Sequence, residues 1–259
     1  METNETTRSG QYLYAVIPRA DEATFGDMGI DGARVGTITE GPLSAVVSET
    51  GLKRIKPKRR HVTAHQRVLQ KLMEERAVLP VSFGVVADSA EAIRGLLFRH
   101  QDELCGELER VGDKVEMTLR VNWDVPNVFE YLVHRHSELR EMRDRLWGAG
   151  NQPTRAEMIE VGKAFESLLE EDRERSLAVV KQVLTERGVT IERNGIQDER
   201  EVMNLSCLVP QAQHEEFEEA VVAAASHFDQ HYSFDYSGPW PPYSFVHLDL
   251  QSNHINEVV

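Results

Sequence analysis

Lys114-Val-Glu-Met-Thr-Leu-Arg-Val-Asn-Trp123 decides how this chain is read. Val115, Met117, Leu119 and Val121 alternate with Lys114, Glu116, Thr118 and Arg120, the period-two pattern of a half-buried antiparallel strand. Working upstream, Asp88-Ser-Ala-Glu91 has the spacing of a capping box. It opens a helix whose core stripe is Ile93, Leu97, His100, Leu104 and Leu108. Val78 to Val86 is apolar and β-branched enough for a buried strand. Val62 to Glu75 is helical, with His65, Val68, Leu69 and Leu72 on one face. Val35–Thr39 and Leu43–Ser48 flank Glu40-Gly41-Pro42, the chemistry of a hairpin turn. Tyr12 to Ile17 is a first strand closed by Pro18. Strand, paired strands, helix, strand, helix, strand is an α+β order, and it resembles a ferredoxin-like sandwich with additions over residues 1–125.

Downstream, Asp124-Val-Pro126-Asn127 marks an exit from that domain, because proline ends a strand and favours an extended bend. Phe129, Leu132, Val133, His136, Leu139 and Leu146 form one helical stripe that stops near Gly148 and Gly150. Pro153-Thr-Arg-Ala-Glu157 starts a second long helix that runs to about Arg187 and Gly188. Its middle, Leu169 to Ser176, is dense in charge, so that turn is expected to be exposed all round or to mark a break. Val189–Glu192, Glu201–Val209 and Phe245–Leu250 read as strands and Gln211–Phe228 as a helix. Residues 126–259 are thus a second, helix-rich α+β domain.

The 259-residue chain carries 29 basic and 43 acidic side chains, a formal charge of -14. Residues 1–125 hold 17 basic and 19 acidic side chains, a net of -2, which leaves 12 and 24, a net of -12, for residues 126–259. Such a surface repels nucleic acid and anionic lipid over most of its area. No apolar run approaches the roughly 18 residues of a membrane span. The first residues lack the basic and apolar regions of a secretory signal, so a cytoplasmic location is expected. Cys105 and Cys207 lie far apart with no CxxC partner, which fits a reducing compartment and excludes a zinc ribbon.

The exception to the acidic surface is Lys53-Arg54-Ile55-Lys56-Pro57-Lys58-Arg59-Arg60, in which six of eight residues are basic. It could steer an acidic partner, or be a solvated loop without one; without interleaved aromatics it is a poor nucleic-acid motif. His61/His65 and His227/His231 stand at i, i+4, but neither pair has the HExxH form of a zinc site. Gly26-Asp-Met-Gly29-Ile-Asp-Gly32 carries no P-loop Lys-Ser/Thr and reads as a flexible loop. There is no G-x-S-x-G elbow, and acid pairs such as Glu170-Glu171 and Glu215-Glu216 sit among other charges, where solvation is the simpler reading. Ser237-Gly238-Pro239-Trp240-Pro241-Pro242-Tyr243-Ser244-Phe245 is the most distinctive stretch. Its three prolines restrict the backbone and bar it from a central strand. Trp240, Tyr243 and Phe245 are then either an aromatic docking surface or a plug in the core.

Gly238-Pro-Trp-Pro-Pro-Tyr-Ser-Phe245 resembles the C-terminal signature of the gas vesicle accessory proteins of the F/L type. Tyr12–Ile17, Leu43–Ser48, His65, Val78-Leu-Pro-Val-Ser-Phe-Gly84, Glu116 and Asn204–Val209 continue the resemblance in order. Ser82 stands where an arginine is often found. The resemblance implies a ferredoxin-like N-terminal domain and a modified, helix-rich C-terminal one. It implies an accessory or minor component of gas vesicles that binds the small hydrophobic shell protein and limits its aggregation during nucleation. Other gas vesicle accessory proteins are further partners that it suggests, and no catalytic residue, cofactor or metal ligand comes with it; the acidic charge and the lack of a long apolar run argue against a nucleic-acid or membrane partner. The residues by themselves leave two other readings open, an enzyme using the interdomain cleft and a small-ligand-binding regulatory module.

Overall fold

The computed structural model describes residues 10–52, 54–148, 153–246 and 255–256. They are built into an α+β protein that divides into two units, Met1–Glu116 with Pro239–Val259, and Met117–Gly238.

The first unit is organised on β1 (Gly10–Pro18), whose Tyr12 to Ile17 are all buried, as the aromatic and β-branched run requires of a central strand. On one side β1 pairs antiparallel with β4 (Leu43–Thr50) from Gly10↔Thr50 to Pro18↔Leu43, and Tyr14 is the extra residue of a bulge between Leu13 and Ala15. β3 (Val35–Glu40) pairs with β4 through the expected hairpin, where Gly41 takes a φ of 56°. β2 (Thr24–Gly26) adds a three-residue edge. On its other side β1 meets β5 (Leu79–Pro80) and β6 (Val86–Ala87), and β11 (Ile255–Asn256) pairs with β6. Val78–Val86 is therefore not one strand. The amide of Gly84 (φ 98°) donates to the buried Tyr12 Oη at 3.1 Å, which draws Ser82–Gly84 away from the ladder.

Helix α1 (Arg59–Met73) buries His61, His65, Val68, Leu69 and Leu72. Each fully buried leucine on that stripe is worth about 1.5–3 kcal/mol over exposure. The helix expected from Asp88 is two: α2 (Ala90–Arg99), capped by Ser89 Oγ accepting from the Ala92 amide, and α3 (Gln101–Val111). They part at His100, whose φ of -107° and ψ of 19° leave the helical region. Only a 3₁₀ turn at Ile30–Gly32, and no α-helix, separates β1 from the β3–β4 hairpin, so this sheet lacks the early helical crossover of a ferredoxin-like order.

The second unit contains most of β7 (Lys114–Trp123), α4 (Val128–Arg135), α5 (Ser137–Trp147), α6 (Arg155–Thr185), β8 (Thr190–Arg193), β9 (Glu201–Pro210), α7 (His214–Ala225) and most of β10 (Tyr232–Trp240). Its sheet order, β10-β7-β9-β8, places the first and third strands of a strand-helix-strand-strand-helix-strand sequence at the centre. The single stripe from Phe129 to Leu146 is broken at His136 (φ -108°, ψ 114°) into α4 and α5. The charged middle of α6 is neither broken nor exposed all round: the helix runs 31 residues, opened by a Thr154–Glu157 capping box, and buries Asp172, Arg173 and Ser176 while Glu170, Glu171, Glu174 and Arg175 face solvent. Arg173 donates to the carbonyls of Asp198, Glu199 and Glu201 and lies over the Trp123 ring at 5.6 Å, which satisfies its charge inside the fold.

The first unit gives way to the second inside β7, between Glu116 and Met117, and the chain returns to the first unit at Pro239. The cause is chemical, since Tyr243 and Ser244 find their hydrogen-bond partners there.

Candidate partner-binding site

Two candidate regions come from the sequence, and α1 connects to both. The first is the Pro/Trp segment. β10 carries the chain through Gly238 (φ 142°) to Trp240 as an edge strand, a place where a missing proline amide costs little. Pro241 and Pro242 are buried, and Tyr243–Phe245 turn in a short 3₁₀ helix rather than opening a strand; residues 247–250 of the expected strand lie outside the described residues. Trp240 is 39% exposed, whereas Phe245 is 1% exposed, so Phe245 is the core plug and Trp240 is not.

Tyr243 Oη lies 2.9 Å from His65 Nε2, and His65 Nδ1 lies 2.9 Å from Tyr12 Oη. Tyr12 Oη also accepts from the Gly84 amide, and each ring nitrogen of the neutral imidazole meets a phenol hydroxyl that can donate or accept, so either tautomer is satisfied. Burial pushes the His65 imidazole down to about 4, with the Val81 backbone acting in the opposite sense; His65 is neutral at pH 7. Burial raises both the Tyr12 and the Tyr243 hydroxyl, so neither ionises near neutrality. His65 stacks on Tyr14, and Tyr14 Oη bonds Ser48 Oγ at 2.9 Å and accepts from the Ile30 amide at 2.8 Å. Ser244 donates through its amide and its hydroxyl to the two carboxylate oxygens of buried Glu116, both at 2.8 Å, and the Arg110 guanidinium donates to the Phe245 carbonyl. Hydrogen bonds that commit both His65 nitrogens and both Glu116 oxygens fix one conformation of the segment.

The second region is the basic run. Ile55 is fully buried and anchors it, while Lys56, Lys58, Arg59 and Arg60 are exposed. Arg54 is also exposed, and Lys53 lies outside the described residues. Helix α1 begins inside the run, so Arg59 and Arg60 occupy a first turn where the helix dipole favours acids. Arg60 pairs with Asp31 at 3.1 Å, and Asp31 also faces His61 Nε2 at 3.1 Å. His61 Nδ1 is 3.1 Å from the Lys56 carbonyl, which can only accept, so that nitrogen carries a proton.

In the second unit, buried Asp172 faces His136 at 3.0 Å and Arg175 at 2.9 Å, tying the α4–α5 break to α6. Among the described residues no group of three His, Cys, Asp or Glu side chains is placed to hold a metal ion, and no helix is long and apolar enough to cross a membrane. Sequence reasoning missed Asp31, Asp172 and the Glu116–Ser244 pair. Glu116 falls on the polar face of its strand in the sequence pattern, which gives no sign that its carboxylate is buried against Ser244.

The sequence pattern of the gas vesicle synthesis proteins GvpL/GvpF matches residues 10–247. Gas vesicle protein F of Dolichospermum flosaquae is 25% identical over 241 residues, spanning 92% of this chain and 98% of that protein. Gas vesicle protein F of a Streptomyces species is 29% identical over 240 residues, spanning 91% and 98%. The crystal structure of GvpF from Anabaena superposes with a TM-score of 0.81 at 23% identity, covering 93% of this chain and 99% of that one. GvpF from Microcystis aeruginosa gives 0.77 at 22% identity, covering 92% and 99%. With its fold matched over nearly the whole length and its sequence from the first strand to the Pro/Trp segment, this chain belongs to the GvpL/GvpF family of gas vesicle synthesis proteins.

Proposed function

We propose that this chain acts in gas vesicle assembly by binding the small hydrophobic shell protein and limiting its aggregation during nucleation. The observation that supports this reading is family membership over residues 10–247. A monomer destined for a sheet-rich shell exposes apolar surface and unpaired strand edges before it assembles, and both drive uncontrolled association. A net-acidic partner that covers such a surface keeps the monomer dispersed.

The contact is made by the first sheet and the basic run Lys53 to Arg60. Among the described residues both edges of that sheet are short: β2 has three residues, and β11, which pairs with β6, has two. This favours charge steering by Lys56, Lys58 and Arg59 over strand pairing. The protein acts in the cytoplasm and at the gas vesicle. The test is pull-down of the co-expressed shell protein across a range of salt. Wild type captures it, and a variant with the basic side chains of 53–60 replaced by serine captures it more weakly, most visibly at low salt. Wild-type protein that captures no shell protein at any salt overturns the proposal.

A further inference from the structure

Beside the basic run lies a groove of about 640 Å³, walled on one side by residues 27–32 and on the other by α1. Three α1 side chains line it at i, i+4 and i+8: Arg59, Thr63 and Arg67. All three are exposed, and among the described residues none makes a side-chain hydrogen bond or ion pair. The opposite wall is fixed. Asp31 holds a left-handed φ of 54°, tied to Arg60 and to His61, which is 4% exposed. Gly32, at φ 78°, places no side chain in the space. The groove's acids are Asp27 and Asp31 and its guanidiniums are Arg59, Arg60 and Arg67; Arg60 is committed to Asp31. Two guanidiniums therefore face one open groove with their donors unused.

We infer that this groove docks a short extended acidic segment of a protein partner, with Arg59 and Arg67 each holding one carboxylate. Eight residues of helix separate the two arginines by about 12 Å. Four steps of extended chain advance about 13 Å, and residues four apart in such a chain point to the same face. The segment thus presents acids at i and i+4, each meeting a planar guanidinium fork, with Thr63 free to hydrogen-bond the peptide between them. A long polyanion is disfavoured by the chain's net charge of -14, whereas a short segment meets only the local field. The inference rests on the capture reading above for the identity of the partner, and adds where it is held and by what chemistry.

The test is fluorescence anisotropy at low ionic strength with the full chain and two labelled Gly/Ser peptides of equal charge, one with two Glu four apart and one with the two adjacent. The first peptide binds tighter. R59S/R67S weakens its binding by about tenfold or more, and K163S/K181S, which removes two exposed positive charges on α6 outside the groove, leaves it within about threefold. Circular dichroism confirms that both variants fold. Equal affinity for the two peptides, unchanged binding by R59S/R67S, or tighter binding of a short single-stranded oligonucleotide overturns the assignment. If no peptide binds while the shell protein is still captured, the groove assignment falls and the capture reading stands. If the peptide binds and the shell protein is not captured, the groove stands and its assignment to that partner falls.

Discussion

The two faces of α1 differ in how their polar groups are spent. One face buries His65, whose two ring nitrogens are committed to Tyr12 and Tyr243, and through Tyr243 it secures the Pro/Trp segment. The other carries Arg59, Thr63 and Arg67 into an open groove with nothing yet bonded to them. A buried polar group must be satisfied within the fold, so the first face is read as structure. An exposed guanidinium is under no such demand, and a row of them beside a fixed wall is where a partner's charge gains most.

The comparison breaks most sharply if substitutions on the buried side prove harmless. Phe245→Ala should cost about 3–5 kcal/mol, because the ring is almost wholly buried; the urea midpoint measures it. Next comes pH. The folded His65 titrates at about 4, below its ordinary 6.5, so between those values the unfolded chain binds a proton that the folded chain refuses. Stability is then full above pH 6.5 and falls as pH drops toward 4, by about 3 kcal/mol from this group. His65→Phe should remove that increment of slope in a pH series of urea midpoints. Glu116→Ala, which strands the Ser244 amide and hydroxyl, should cost about 1–3 kcal/mol, and Glu116→Gln less. Trp240→Ala, at a ring 39% exposed, should cost less than Phe245→Ala, about 1–2 kcal/mol. R59S/R67S should change stability by no more than about 0.5 kcal/mol, and a larger loss would mean that this face is structural too.

Local chemistry was legible in the sequence. The β3–β4 hairpin, the α1 stripe and the Thr154–Glu157 box each depend on residues within a turn or two of one another. The breaks at His100 and His136 were not, because neither site carries the glycine or proline that usually marks one. The middle of α6 misled for a related reason. Its charges look solvated until Arg173 is seen to reach carbonyls 25 to 28 residues away. In the Pro/Trp segment the prolines marked a special conformation, yet His65 and Glu116, which receive it, stand 178 and 128 residues from their partners. Strand order was hidden likewise, since nothing local says that the strand-helix-strand-strand-helix-strand order belongs to the second unit.

The central claim is that the exposed face of α1 serves a gas vesicle partner while the buried face serves the fold. Its most direct test is the fraction of small shell protein left soluble after centrifugation when it is co-expressed with wild type, with R59S/R67S, or alone. Wild type should raise that fraction, and R59S/R67S, folded and equally expressed, should raise it much less. A shell protein that pellets equally in all three, or is kept soluble equally by wild type and R59S/R67S, would contradict the account.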